Sequence, residues 1–313
     1  MPKPIVLVAD PLPAHVLADL EPDFDLRHCE GADRVALLAA VPTAAALLIR
    51  SATKVDQEVL DAAPLLRVVA RAGVGLDNVD ITAATRAGVR VANAPQSNVV
   101  SVAELTVGLM ISMARTIPAA SASVHAGQWK RAAFQGVELA GKTAGILGFG
   151  KVGRLVATRL QALDMRIVAH DPFVPADAMA QVGVLPVELA ELMRESDFLT
   201  IHLPLTAQTR GIVGEAELAL AKSSLRLLNT ARGGIVDEFA LAQALKENRL
   251  AGAALDVFEV EPPESSPLLG IDSVIATPHI GAGTPEAQER AGQEAVRAVR
   301  FALTGQDVPG AVN

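Results

Sequence analysis

The sequence predicts an α/β protein made of two doubly wound parallel sheets. Short apolar runs of strand length alternate with helical patterns from the N-terminus to about residue 97, and the alternation resumes at Lys142. Alternation of this kind calls for parallel strands with helices on both faces. Between the two runs lies Ser101 to Ala114, apolar on almost every face, and after the second comes a helical pattern from Glu286 to Leu303. That last helix is expected to return to the first unit. The expected domains are therefore 1–98 with 286–313, a discontinuous unit, and 99–285.

In the first unit the expected strands are Ile5 to Asp10, Ala45 to Arg50, Leu66 to Arg71 and Val89 to Ala92, with helical patterns at Ala14 to Leu20, Val55 to Ala63 and Ile81 to Arg86. In the connecting segment Ser101 and Glu104 stand at capping-box spacing, which predicts a helix start there. A helix apolar all round must be buried, between domains, in a subunit interface, or both. The second unit offers strands at Lys142 to Phe149, Arg166 to His170, Phe198 to Leu203, Leu225 to Thr230, Ala253 to Val257 and Val274 to Thr277.

The turn Gly145-Ile146-Leu147-Gly148-Phe149-Gly150-Lys151-Val152-Gly153 sits where a strand meets a helix, and the next strand leads into Asp171, eighteen residues beyond Gly153. In that setting Gly148 allows a tight turn, Gly150 lets the backbone approach a pyrophosphate, and Gly153 lets helix and strand pack closely. The helix N-terminus at Lys151 and Val152 supplies N–H groups and a positive dipole. Asp171 is placed to take the ribose hydroxyls of an adenosine. The expected cofactor is NAD and not NADP: Asp171 would repel a 2′-phosphate, and Asp171-Pro172-Phe173-Val174 holds no arginine to receive one.

Composition narrows the function classes. A chain of 313 residues is long enough for two domains with their own cores. A net charge of -8 without any Lys/Arg run argues against nucleic acid and anionic membrane as partners. The longest apolar stretch, Val35 to Ile49, contains Pro42 and Thr43 and falls short of the roughly 20 residues a membrane helix needs. The run Ile5 to Ala9 is too short for a signal peptide. Cys29, the single cysteine, can form no intrachain disulfide, which suits a reducing cytoplasm. No metal site is expected from the spacing of the six histidines. His15, His28 and His125 read as peripheral, and His170 and His202 as strand-end packing residues.

Three polar clusters end strands of the second unit, where open α/β sheets place their ligands. They are Asn229-Thr230-Ala231-Arg232-Gly233-Gly234-Ile235-Val236-Asp237-Glu238, Asp256-Val257-Phe258-Glu259-Val260-Glu261-Pro262-Pro263 and Thr277-Pro278-His279-Ile280-Gly281-Ala282-Gly283-Thr284. With the glycine turn, these segments resemble the D-isomer-specific 2-hydroxyacid dehydrogenases, whose motifs run ARGGxVDE, LDVFxxEP and PHxGAxT. The likeness extends over essentially the whole chain. It is nearest to the members that oxidise D-3-phosphoglycerate, through Ile49-Arg50-Ser51-Ala52-Thr53-Lys54-Val55, the segment from Arg71 to Asp80, and Asn98 with Ser101 to Glu104.

The resemblance implies a flavodoxin-like substrate domain and a Rossmann NAD-binding domain with the active site in the cleft between, and a homodimer formed by the cofactor domains. It implies Arg232, Glu261 and His279 as catalytic residues. Oxidising a 2-hydroxy acid removes the hydroxyl proton as hydride leaves C2, which suits the imidazole of His279 as base. Glu261, bonded to the far ring nitrogen, would fix the tautomer and stabilise imidazolium. Arg232 would hold the substrate carboxylate and polarise the C2 oxygen with its planar fork. Beyond Gly148, Gly150, Lys151, Val152, Gly153 and Asp171, the family register adds Thr230, Ala231, Asp256, Gly281 and Ala282 to the cofactor site, with Asp256 near the nicotinamide amide. For the substrate, the amides of Val74 and Gly75 would grip the carboxylate and Asn98 would touch it. Arg50, Arg71 and Arg131, with Lys54, would form a phosphate pocket, Arg131 from a neighbouring subunit.

The implied reaction is NAD-dependent oxidation of D-3-phosphoglycerate to 3-phosphohydroxypyruvate, at the head of serine biosynthesis. Two readings stand beside it. One is the same chemistry on glyoxylate, hydroxypyruvate or another 2-keto acid; the other is a nicotinamide-sensing, corepressor-like binding protein. Gly283 departs from the serine common in the phosphoglycerate-oxidising members. The chain stops at Asn313, so feedback through an appended regulatory domain is not expected of this polypeptide.

Overall fold

Strand residues with period-two alternation build the first sheet from β1 (Ile5–Val8), β2 (Asp25–His28), β3 (Ala46–Ile49), β4 (Val68–Arg71) and β5 (Arg90–Ala92), all parallel and in the order β2-β1-β3-β4-β5. The computed structural model describes residues 2–313. Val6, Val8, Ala46, Leu48, Val68 and Ala70 face one core, and Leu7, Leu47, Ile49 and Val69 the other. On the first face lie α1 (Ala14–Leu17) and α12 (Pro285–Leu303), the latter packed on β3, β4 and β5 through Ala291, Ala295, Val296, Ala298, Val299 and Ala302. On the other lie α2 (Arg34–Ala40), α3 (Gln57–Asp61) and α4 (Ile81–Arg86). This is the flavodoxin strand order. The β2 strand was not expected: Asp-Leu-Arg-His offers one apolar side chain in four, and the strand sits at the sheet edge, paired to β1.

The second sheet has seven parallel strands: β6 (Thr143–Leu147), β7 (Arg166–His170), β8 (Leu185–Pro186), β9 (Phe198–Ile201), β10 (Arg226–Asn229), β11 (Gly252–Leu255) and β12 (Val274–Ala276). Their order, β12-β11-β10-β9-β6-β7-β8, is the Rossmann order with one further strand. One strand beyond the six expected is β8, two residues long and ending in a proline. Helices α7 (Lys151–Gln161), α8 (Ala176–Ala180), α9 (Leu189–Glu195), α10 (Glu215–Leu218) and α11 (Glu238–Lys246) connect the strands.

Two helices precede this sheet, α5 (Val99–Ala114) and α6 (Ile117–His125). The capping-box expectation at Ser101 is corrected: helical backbone begins at Val99, so Ser101 lies buried inside the first turn and not ahead of it. Val102, Ala103, Thr106, Leu109, Met110 and Met113 of α5 are buried, and the helix packs on α7, β10 and β11. By contrast α6 buries no residue. No single described helix is long and apolar enough to cross a membrane; α5 and α6 meet the criteria together but are bent by 66°. The chain folds as two compact units, one made of the residues up to Asn98 with Ala282–Asn313, the other of Val99–Gly281.

Candidate active site

The three glycines of the turn after β6 do three different things. Gly148 has φ +95°, and a Cβ there would lie 2.9 Å from the carbonyl of His202. Gly153, inside the first turn of α7, would place a Cβ 2.3 Å from the Gly148 oxygen, so helix and turn touch backbone to backbone. Around Gly150, the N-cap, no atom lies within 4 Å of a Cβ position. That open backbone at the start of an eleven-residue helix is the surface a pyrophosphate needs. Lys151 is exposed and Val152 half-buried on the same turn. Asp171 ties the turn to the end of β7: its Oδ2 accepts from the Phe149 amide at 2.8 Å and its Oδ1 from Phe173 at 2.9 Å. Each carboxylate oxygen has a second lone pair, so acceptor capacity for ribose hydroxyls remains. The residues fit a dinucleotide.

Arg232 is carried on the turn that follows β10. The buried amide of Asn229 spans that turn, accepting from Ala231 N at 3.1 Å and donating to the Arg232 carbonyl at 2.8 Å. Half-buried Arg232 donates from Nη1 to the Ala231 carbonyl at 2.7 Å. Thr230 is buried and shares a hydroxyl contact of 2.8 Å with Thr106 of α5. Next to Arg232, a Cβ on Gly233 would sit 1.8 Å from the Phe258 oxygen. The arginine turn therefore rests directly on the loop that carries Glu261.

Glu261 and His279 meet: Nδ1 of the imidazole lies 2.7 Å from Oε2, and the second oxygen, Oε1, accepts from Phe258 N at 3.1 Å. Both side chains remain partly open to solvent, 48% for His279 and 37% for Glu261. His279 has φ +52°, a left-handed conformation that costs a non-glycine residue of order 1–3 kcal/mol. Asp256 holds it there. Its carboxylate, 1% exposed, accepts from the Thr277 hydroxyl at 2.6 Å and from the amides of Ile280 and Gly281, each at 2.8 Å, while its carbonyl accepts from His279 N at 2.9 Å. Asp256 thus works as a loop anchor. A cavity of about 490 Å³ opens beside the pair, walled by Phe258, Pro262, Pro263 and Pro278. Gly281 is buried and Ala282 exposed beyond it.

In the first unit, Arg71 ends β4 and donates from Nε to Asn78 Oδ1 at 2.9 Å; Asn78 in turn donates to the carbonyls of Arg50 at 2.8 Å and Thr53 at 2.6 Å. The two arginines are thus joined through one amide. Arg50 also lines a cavity of about 210 Å³ with Pro11, Leu12, Pro13 and Gln288. The Val74 carbonyl accepts from Asn93 Nδ2 at 2.6 Å, which fixes the peptide that presents Val74 and Gly75. Lys54 is exposed. In the second unit Arg131 is exposed on a 3-10 turn, Arg131–Ala133. Asn98 immediately precedes α5. No cluster of three or more His, Cys, Asp or Glu that could hold a metal occurs among the described residues. His170 Nδ1 lies 2.9 Å from the Val187 carbonyl, and His202 Nε2 3.0 Å from Thr200 Oγ1.

Residues 107–281 match the description "D-isomer specific 2-hydroxyacid dehydrogenase, NAD binding domain". The chain belongs to this family. Its cofactor domain is that family's NAD-binding domain, as the glycine turn led us to expect. D-3-phosphoglycerate dehydrogenase of Mycobacterium tuberculosis is 49% identical over all 313 residues, which make up 59% of that relative's length. Among solved structures, a protein of Thermus thermophilus superposes with a TM-score of 0.91 at 34% identity, covering 99% of this chain and 100% of the other. A glyoxylate reductase from Paecilomyes thermophila gives 0.90 at 30% identity, covering 100% and 99%.

Sequence reasoning gave no role to Asn229, Glu238 or Asp10. Each carried a readable signal, an amide or carboxylate at the end of an apolar strand or in the first turn of a helix. What the sequence does not show is that their partners are mostly backbone amides and carbonyls, which no residue pattern marks.

Proposed function

We propose that this protein is an NAD-dependent dehydrogenase of D-3-phosphoglycerate, yielding 3-phosphohydroxypyruvate. The observation that carries the reading is the 2.7 Å contact of His279 with Glu261 on a loop packed against the Arg232 turn. Bound NAD supplies the hydride acceptor. His279, with Nδ1 held by Glu261, offers Nε2 to take the proton of the C2 hydroxyl, and the carboxylate behind it steadies the imidazolium. Arg232 grips the carboxylate and draws charge onto the C2 oxygen. Val74, Gly75 and Asn98 are assigned to the substrate carboxylate, and Arg50, Arg71, Lys54 and a partner's Arg131 to the phosphate.

A homodimer is part of this reading, supported by the surface of the second unit. No residue of α6 is buried, and Ile117, Val124 and Trp129 are 46%, 54% and 78% exposed, an apolar stretch that a second copy would cover. A cytoplasmic location suits the lone, half-buried Cys29.

Reduction of unphosphorylated 2-keto acids is the second reading, favoured by Gly283 and by the superposition on a glyoxylate reductase. NADH oxidation with phosphohydroxypyruvate, hydroxypyruvate and glyoxylate separates the two. We expect the highest kcat/KM for the phosphorylated acid, and a loss of roughly 10²–10⁴ in kcat on His279→Ala. Arg50→Ala should raise KM for the phosphorylated acid alone; equal losses on all three acids would give the second reading.

A further inference from the structure

The carboxylate of Glu238 has no part in the chemistry above, yet it is only 8% exposed. It is the first residue of α11, directly after Asp237, whose side chain caps the helix through Phe239 N at 2.9 Å and Ala240 N at 3.0 Å. Burying a carboxylate is costly unless charge-assisted hydrogen bonds offset it. Both offsetting bonds go to one loop: Oε1 accepts from Glu259 N at 2.6 Å, and Oε2 accepts from the Ser266 hydroxyl. These two anchors stand on either side of Glu261. Glu261 itself is partly solvated and reaches His279 from a loop with two prolines immediately after it.

We propose that Glu238 is a positioning residue, which ties the Glu259–Ser266 loop to the first turn of α11 and so sets where Glu261 meets His279. The inference rests on reading those two as the acid-base pair. The charged groups facing His279 are Glu261 and, through the Ile280 and Gly281 amides, Asp256; beside Glu238 are Asp237 and the Arg210–Glu259 pair at 3.2 Å. An exposed pair like Arg210–Glu259 restrains the loop weakly. The buried carboxylate is the firmer tether.

The test is the pH dependence of kcat in the full chain for Glu238→Ala, Glu238→Gln, Ser266→Ala and Glu261→Gln. Glu238→Ala should lower kcat about tenfold, a part of what acid-base catalysis contributes, with little change in KM for NAD. It should also move the acid limb to lower apparent pKa, as Glu261→Gln should, because imidazolium loses its carboxylate. Gln at this position can still accept from Glu259 N and donate to Ser266, so Glu238→Gln should recover most of the wild-type profile. Combining Glu238→Ala with Glu261→Gln should shift the limb no further than Glu261→Gln alone. A lower melting temperature with an unmoved profile, or additive shifts in the double variant, would overturn the proposal. If Glu238→Ala does not fold, Ser266→Ala decides: a smaller shift in the same direction supports the tether and an unmoved profile rejects it. A His279→Ala variant that kept its activity would instead reject the acid-base reading itself.

Discussion

At the crevice of the first sheet, where strand order reverses between β1 and β3, the carboxylate of Asp10 accepts from the amides of Arg50 and Thr53 and is 5% exposed. At the crevice of the second, between β6 and β9, the chain supplies Gly148 and Gly150, and no atom lies within 4 Å of a Cβ position at Gly150. Both sheets are doubly wound and both crevices lie at the carboxyl ends of strands, the usual place for a ligand. In the first the protein's own carboxylate occupies the seat in which an anion would find backbone amides. In the second that seat is left as open backbone at a helix N-terminus. Topology makes the crevice, and one side chain decides whether the backbone amides on its floor are free to take an anion.

The largest effects should come from putting side chains into the open crevice, and they should be of two kinds. Gly153→Val forces a branched side chain against the Gly148 oxygen, where even a Cβ would come within 2.3 Å. Overpacking of this sort costs about 1–3 kcal/mol, so a lower melting temperature and loss of NADH binding are both expected. Gly150→Ala has open space around it and a φ of -77° that alanine accepts. It should melt as the wild type does and yet bind NADH weakly, since the methyl group stands where the pyrophosphate approaches. Thermal unfolding beside NADH fluorescence titration separates the two, and equal melting losses would mean that Gly150 serves the fold.

Emptying the occupied crevice should do less to cofactor binding. Asp10→Ala leaves the Arg50 and Thr53 amides without their acceptor, at a cost of about 1–3 kcal/mol for each amide that water does not reach. NADH affinity should hold, while KM for the substrate rises as the Arg50 segment loosens. Sulfate should raise the melting temperature of Asp10→Ala more than that of the wild type, because the vacated amides form an anion seat. An equal response in both proteins would show that Asp10 is not standing in for an anion.

The open crevice was legible in the sequence and the filled one was not, for a physical reason. Gly148, Gly150 and Gly153 are informative because glycine at fixed spacing marks backbone geometry directly. Asp10 directly follows the apolar run Ile5–Ala9 and reads as the end of a strand; its partners lie forty residues on and are amides, which every residue has. Strands buried on both faces, such as β3 and β4, stood out as apolar runs, whereas β2 and β8, an edge strand rich in charge and a two-residue strand ending in proline, carried no such pattern. Arg232, Glu261 and His279 were found through motif resemblance. The anchors behind them, Asn229, Asp256 and Glu238, act through loop backbone that only coordinates reveal.

His202 gives the smallest effect and the finest test of the comparison. It follows β9 at the open crevice, beside Gly148, and its Nε2 lies 3.0 Å from the buried Thr200 hydroxyl. Burial of the ring lowers its pKa from 6.5 to about 3, so the imidazole is neutral at neutral pH and brings no charge to the crevice. The folded pKa lies below the unfolded one, and as pH falls the unfolded chain takes up the proton first. Stability from this group is therefore full above about 6.5 and is lost as pH falls from there toward 3. The slope is at most about 1.4 kcal/mol per pH unit, and less here because the residue keeps some contact with solvent. His202→Gln keeps a hydrogen-bonding side chain without the titration. It should be less stable than the wild type at neutral pH, with the gap narrowing as pH falls from 6.5 to 4, as read from urea midpoints. A gap that stays constant over that range would mean that the folded protein carries the proton on His202, and the open crevice would then hold a cation of its own.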